Sequence, residues 1–439
     1  MATEAQAVQV QQTVQLSATH WSSVSRVAFR FCFVYFGLYC LLTQIISSLI
    51  PAPNVDVPDL ATLWPVRPVI LWIAAHILRI KATLVYSGSG SGDKIFDYVL
   101  VLFILVITLV ATAIWSSLDK RENYVTLHKW FRLFIRFALA GQMLTYGMSK
   151  AVPLQMPPTP LFKLVEPFGS FSPMGVLWSS IGASRGYEIF AGCAELLAGV
   201  LLIFPRTSTL GALVCLADMT QVFMLNMNYD VPVKLLSFHL VLLSLFLLVP
   251  EFHRLANFFV LNRVAGPSTQ AELFETRRGN RVAVAVQVLF GVVLLAANAY
   301  QFGGDWLHNR PKSALYGIWD VDQMTIDGQI RSPLVNDYDR WRRVIFDYSD
   351  QIWFQRMDES FAVYGAAIDV DKKSVAITKR SDPNWKGNLN FERAGPEHLA
   401  FDGEMSGHRV HMELKLVDQT KMILKSRGFH WVQEYPFNR

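Results

Sequence analysis

A membrane-embedded all-α bundle of about seven spans, followed by a C-terminal all-β barrel, is the fold class this sequence predicts. Three observations lead there. Between residues 27 and 299 the chain offers roughly seven apolar segments close to the ~20 residues that cross a bilayer. Charged residues make up 17% of the 439, against about 25% in ordinary soluble proteins, and most acidic ones fall after residue 304. Beyond that point apolar or alternating runs recur about every 8–12 residues, the rhythm of an antiparallel barrel or sandwich of about eight strands.

Residues 1–26 form a polar tail rich in Gln, Thr and Ser. It lacks the basic start and cleavage site of a signal peptide, so the first span is expected to remain as an uncleaved anchor. Span one covers about 27–50 and ends at Pro51 and Pro53, because proline cannot continue a helix. Residues 66–80 are apolar but too short to cross, which predicts an interfacial or re-entrant segment. The turn SGSGSGD at 87–93 precedes span two at about 96–118, completing a first region of 27–122.

Spans three to six, at about 130–150, 186–204, 207–226 and 231–249, fill a second region of 123–262. Its long loop, 151–184, is rich in Pro, Phe, Gly and Ser. Phe162, Phe168, Phe171 and Trp178 in that loop are expected to roof a pocket below. An amphipathic stretch with Phe252, Leu255, Phe258, Phe259 and Leu261 follows. A basic linker and span seven (282–299) make up 263–303, and 304–439 is the β domain. In that domain Val410, Met412, Leu414 and Leu416 alternate with His411, Glu413 and Lys415, the period-2 pattern of a half-buried strand.

The net charge of +5 sits at span edges and reads as topology rather than affinity for nucleic acid. Membrane lipid is the expected surrounding partner. Basic clusters at 120–136 and 254–281, with Arg26 and Arg30, place the N-terminus inside and, for seven spans, the β domain outside. Four cysteines, Cys32, Cys40, Cys193 and Cys215, lie in apolar spans with no CxxC pair, so neither a disulfide framework nor a cysteine metal site is expected. His408 and His411 are three apart in a strand and face opposite sides, which argues against a metal pair.

Ionisable side chains inside spans are costly and mark functional positions by default. Glu188 and Glu195 are seven apart and share a helix face, with Gly192 between them to let a neighbouring helix approach. Arg136, Met143, Gly147 and Lys150 share a face of span three, and Asp218 and Gln221 are i, i+3 neighbours in span five. Glu195 and Asp218 sit near mid-span; Lys150, Glu188, Asp230 and Lys234 lie toward the outer end and Arg136 toward the inner end. One reading is structural: Lys150 pairs with Glu188 or Glu195, and Lys234 with Asp230, fixing helix register. The other is a pocket in which Glu195 and Asp218 are catalytic proton carriers and Arg136, Tyr146, Lys150, Glu188, Gln221, Asp230 and Lys234 bind ligand.

Residues 130–249 resemble the DoxX family, a four-helix membrane module. The resemblance rests on Arg136, on Gly147-Met-Ser-Lys150, and on Phe190-Ala-Gly192-Cys-Ala-Glu195-Leu-Leu-Ala-Gly199. The SGSGD turn and the terminal RGFHWVQEYPFNR are similar to longer bacterial proteins of that family. The resemblance implies a bacterial inner-membrane protein with a quinone or a redox partner subunit. The residues themselves offer no haem or flavin site: only His239 lies deep in a span, and no GxGxxG follows a strand. Gly317 and Trp319, with a late arginine at Arg427, are similar to the lipocalin-like signature, in which the guanidinium covers the indole at the barrel floor.

Three functions therefore stand as expectations. The first is a quinone-linked redox component, a membrane oxidoreductase subunit in which Lys150 holds the quinone oxygen. The second is a non-enzymatic carrier of lipid or another apolar ligand, served by the β domain. The third is an assembly or anchor subunit.

Overall fold

The computed structural model describes residues 21–268, 270–307 and 311–438; residues 1–20 of the expected polar tail lie outside these. The chain divides into a helical unit (Met1–Gln155 and Gly186–Gly304) and a β unit (Met156–Arg185 and Asp305–Arg439).

The helical unit is built on α1 (Ser23–Leu42), α2 (Ile95–Leu118), α3 (Val125–Ala151), α4 (Arg185–Ile203), α5 (Ser208–Asn228), α6 (Lys234–Leu248) and α7 (Arg277–Leu307). Six of these are long and apolar enough to cross a membrane, which marks an integral membrane protein. The expected third span is α3, also 27 residues long, but its basic side chains set it apart from those six. The apolar segment after residue 66 forms a short helix, Val66–Trp72, continued by a π turn to Ile77.

Helix ends are fixed by named side chains. The Ser22 hydroxyl accepts the Ser25 N–H at the start of α1, satisfying one orphan donor. The start of α6 is capped from a distance. Asp93, at the end of the glycine-serine turn, accepts the N–H groups of Lys234 and Leu235 at 2.8 and 2.9 Å. In the bundle core, Arg30 is buried, with its guanidinium on the Tyr124 hydroxyl and the Asp119 carbonyl. Phe131 packs with Phe33 and Phe246 at ring separations of 4.7 and 5.4 Å.

The β unit is a meander closed into a barrel. Its strands are β1 (Lys312–Ile326), the two-residue β2 (Gln329–Ile330), β3 (Trp341–Tyr348), β4 (Gln351–Arg356), β5 (Phe361–Asp369), β6 (Ser374–Lys379), β7 (Asp382–Arg393), β8 (His398–Met405) and β9 (His408–Leu416). Each long strand pairs antiparallel with the next, and β9 returns to β1 with Trp319 opposite Leu416. Closure leaves no open edge across the eight principal strands. The alternation expected at 408–416 is β9, with Val410, Met412 and Leu414 buried.

The interior is filled with large apolar side chains, among them Trp319, Phe346, Phe354 and Phe401, each at most 1% exposed. Burying each such side chain stabilises by about 1.5–3 kcal/mol. Gly317 has φ +153°, and a Cβ there would stand 2.6 Å from a Leu416 methyl; glycine is the residue that tolerates both.

Two expectations change here. Arg427 does not cover Trp319: it lies over the Phe437 ring at 4.2 Å, in the tail that leaves the barrel after β9. Arg393, at the end of β7, takes that place at 5.8 Å from the indole. The second concerns the loop. Residues 156–185 belong to the β unit rather than to the helices. Phe162 stacks on Trp353 at 3.9 Å, Asp347 accepts the Leu161 N–H at 2.8 Å, and Gln355 donates to the Val165 carbonyl. Leu161 is buried with Ile318 and Ile345 on the outer wall of β1 and β3. Phe162, expected as a pocket roof, is thus used up by the barrel wall. A segment broken by Pro153, Pro157, Pro158 and Pro160 cannot extend α3, so its apolar side chains seek an existing apolar surface.

Candidate functional site

The helical unit gathers its polar side chains into separate groups rather than one. The first is centred where α3 and α4 cross. A Cβ on Gly147 would lie 2.8 Å from the Leu196 nitrogen, and one on Gly192 would lie 2.7 Å from the Gly147 carbonyl oxygen. Only glycines allow this backbone approach, as in other small-residue membrane crossings.

The crossing seats a buried ion pair. Lys150 Nζ meets both oxygens of Glu195, at 2.6 and 2.8 Å, and both residues are at most 8% exposed. Helical side chains lean toward their own N-terminus. Lys150 therefore reaches back past Gly147 and meets Glu195, not Glu188, which is itself buried two turns earlier in α4. Asp218 of α5 lies within electrostatic range of both members of the pair, and its Oδ2 is buried without a hydrogen-bond partner.

Tyr146 connects this pair to a small pocket. Its ring lies 5.7 Å from Lys150 Nζ, and its hydroxyl accepts from Gln44 Nε2 at 2.8 Å. The pocket, about 250 Å³, is bordered by Gln44, Asp56, Gln142, Tyr146, Asn298 and Gln301. Gln142 is 2% exposed; its Nε2 donates to the Gln44 carbonyl, and its Oε1 has no hydrogen-bond partner. Gln44 and Gln142 were not in the sequence-derived set. Neutral amides carry no charge signal, and no helical period singles them out.

The remaining expected ligand residues lie apart. Lys234 pairs with Asp230 at 3.0 Å and approaches Asp93 at 3.8 Å, a group that fixes the start of α6. Gln221 is exposed, because three residues on from Asp218 its direction has turned about 60° away from that of Asp218. Arg136 sits 14 residues before Lys150, about 21 Å along the same helix. It is buried, bonded to Gln287 of α7, and borders a different cavity. The shared helix face was real, but a face 14 residues long spans two sites.

His239 is the third group. Its Nδ1 donates to the Leu235 carbonyl at 2.7 Å, its Nε2 meets the Tyr35 hydroxyl at 2.9 Å, and its ring stacks on Tyr39 at 3.6 Å. All its polar atoms are occupied by the fold.

No family model matches the chain, and no solved structure matches it. Among curated proteins it is similar to the uncharacterized protein YwoB of Bacillus subtilis (strain 168), with 32% identity over 127 residues, covering 27% of this chain and 72% of that protein.

Proposed function

This chain belongs to the family of that Bacillus subtilis protein, and from the geometry of its helical unit we propose a DoxX-type, quinone-linked redox component of the cytoplasmic membrane. The N-terminus lies inside and the β unit outside, the orientation that the positive-inside rule gives for seven spans.

The observation that carries the reading is the pocket beside Tyr146. It offers a buried acceptor without a hydrogen-bond partner, Gln142 Oε1, and a hydroxyl hydrogen, that of Tyr146, whose oxygen already accepts from Gln44. A quinone carbonyl accepts from the tyrosine, and a quinol hydroxyl donates to the amide. A buried polar atom without a partner costs about 1–3 kcal/mol, so a ligand that satisfies Gln142 recovers that amount. Lys150 and Glu195 stand behind Tyr146, and Asp218 extends the set of proton-exchanging groups. Reduction of the quinone takes two electrons from a partner redox protein and two protons through these side chains. Lys150 acts through this relay and not, as first expected, by direct contact with the ring oxygen.

A carrier in which the barrel holds cargo is less well supported, because Trp319, Phe346, Phe354 and Phe401 occupy the barrel interior. The test is titration of the full-length protein in nanodiscs with a short-chain quinone and its quinol. Quinol affinity is expected to fall at least tenfold in Gln142→Leu, and quinone affinity likewise in Tyr146→Phe. Absence of binding to the unaltered protein, or equal binding by both variants, refutes the reading.

A further inference from the structure

A second cavity in the helical unit is larger than the one beside Tyr146. It measures about 1180 Å³ and lies where α3 and α7 begin, at the α4–α5 turn and just after α6. Six cationic side chains border it: Lys129, Arg132, Arg136, Arg206, Arg277 and Arg281. Glu272 is the single carboxylate in the lining. Among the described residues none of the six cations makes a salt bridge. Lys129 donates to the backbone carbonyls of Glu272 and Leu273, and Arg132 to that of Leu247.

Arg136 forms the deep wall. It is 7% exposed, donates to Gln287, and has its Nε buried without a partner. A guanidinium held this way in a low-dielectric wall calls for an anion. Part of the wall is apolar, with Leu133, Leu247 and Val284 from the starts and ends of the spans, and the remainder carries hydroxyl and amide side chains such as Ser208 and Asn280. The chain leaves this wall through the helix Phe252–Phe259, whose Phe252, Phe258 and Phe259 are 63–67% exposed. Exposed aromatics on a short amphipathic helix mark the headgroup level of a bilayer.

We propose that this cavity is a binding site for the phosphate headgroup of an anionic phospholipid. A free phosphate is far smaller than the space, and the apolar part of the wall, Leu133, Leu247 and Val284, suits the first carbons of acyl chains. Basic pockets between spans on the cytoplasmic side are a physical route to lipid-headgroup recognition, and the orientation proposed above puts this end inside. The site is independent of the Tyr146 pocket and shares no side chain with it.

The experiment incorporates the full-length protein into nanodiscs of phosphatidylcholine with increasing phosphatidylglycerol and counts retained lipid by native mass spectrometry. One tightly held phosphatidylglycerol is expected, and inorganic phosphate at equal concentration should not displace it. Arg206→Gln with Arg281→Gln alters two exposed side chains, so the fold is kept, and retention should fall at least tenfold. Arg136→Gln should show the same loss. Equal retention of phosphatidylcholine, full displacement by inorganic phosphate, or undiminished retention in the double variant would each overturn the proposal. Quinol titration of the same samples separates this result from the fate of the Tyr146 pocket.

Discussion

Two buried arginines, one in each unit, are held in opposite ways. Arg340 of the barrel is 3% exposed, and its guanidinium is spoken for by the carbonyls of Arg331, Trp341 and Val321. Arg136 of the bundle is buried almost as well, yet it has one amide partner, an unpartnered Nε and a cavity in front of it. The difference separates a cation that completes a wall from one left open to something outside the chain. Burial alone does not distinguish them; the count of satisfied donors does.

Substitution by methionine tests that contrast most directly. Arg340→Met orphans three carbonyls at about 1–3 kcal/mol each, so the β unit should lose about 3–9 kcal/mol in denaturant unfolding followed by tryptophan fluorescence. Arg136→Met removes a half-satisfied charge and orphans only Gln287 Oε1, so the bundle should lose about 1–3 kcal/mol at most. Equal losses at the two positions would erase the distinction.

The Lys150–Glu195 pair sharpens the same point inside the bundle. Lys150→Met leaves a buried carboxylate without its cation and should cost about 3–5 kcal/mol. Combining it with Glu195→Gln removes both charges and should restore most of that loss. Recovered stability with absent quinone reduction separates a working pair from a merely structural one. Stability and turnover both recovered would leave only helix register to the pair.

Gly192→Ala comes next in size. The added methyl would meet the backbone of Gly147 and Lys150 at 2.7 and 2.8 Å, so the helices must part. Overpacking of this kind costs about 1–3 kcal/mol, and the separation should also lengthen the ion pair. Gly186→Ala, in the same helix with nothing within 4 Å of the added carbon, is the control, and thermal unfolding of both variants checks the difference.

Much of this fold could be read from residue patterns because its two periods are strong. Apolar runs of span length became α1, α2 and α4 to α7, and the alternation at 408–416 became β9. What was illegible depended on long-range geometry. Nothing local says that Arg393 rather than Arg427 reaches Trp319, since both follow the β1 tryptophan by many residues. Nothing in a proline-broken loop announces that Leu161 and Phe162 will lie against Ile345 and Trp353. Glu195 was favoured as Lys150's partner only once the lean of helical side chains was combined with the α3–α4 crossing. The basic cavity is not legible locally because its cations come from three separate stretches, each of which reads as an ordinary span edge.

The smallest effect belongs to the barrel rim, where charges are solvated and neither buried nor open to a cavity. His408 Nδ1 lies 2.8 Å from Asp327 Oδ2, joining the β1–β2 turn to the start of β9. The hydrogen bond and the carboxylate charge raise the His408 pKa above its ordinary value of about 6.5, and the same bond, with the Arg409 N–H, lowers that of Asp327. The sign follows from linkage. A raised histidine contributes stability that is complete below its unfolded pKa and is lost as pH rises through the folded one. A lowered aspartate contributes stability that is present above its unfolded pKa and is lost as pH falls through the folded one. The pair therefore supports the barrel between the two ordinary values, roughly pH 4 to 6.5, and fades on either side. Subtracting the pH profile of barrel unfolding in His408→Asn from that of the unaltered protein should leave a shallow dome over that range, shrinking with added salt as exposed pairs do. A flat difference would mean that this rim pair contributes nothing, and that the barrel's electrostatic stability resides in its enclosed groups such as Arg340.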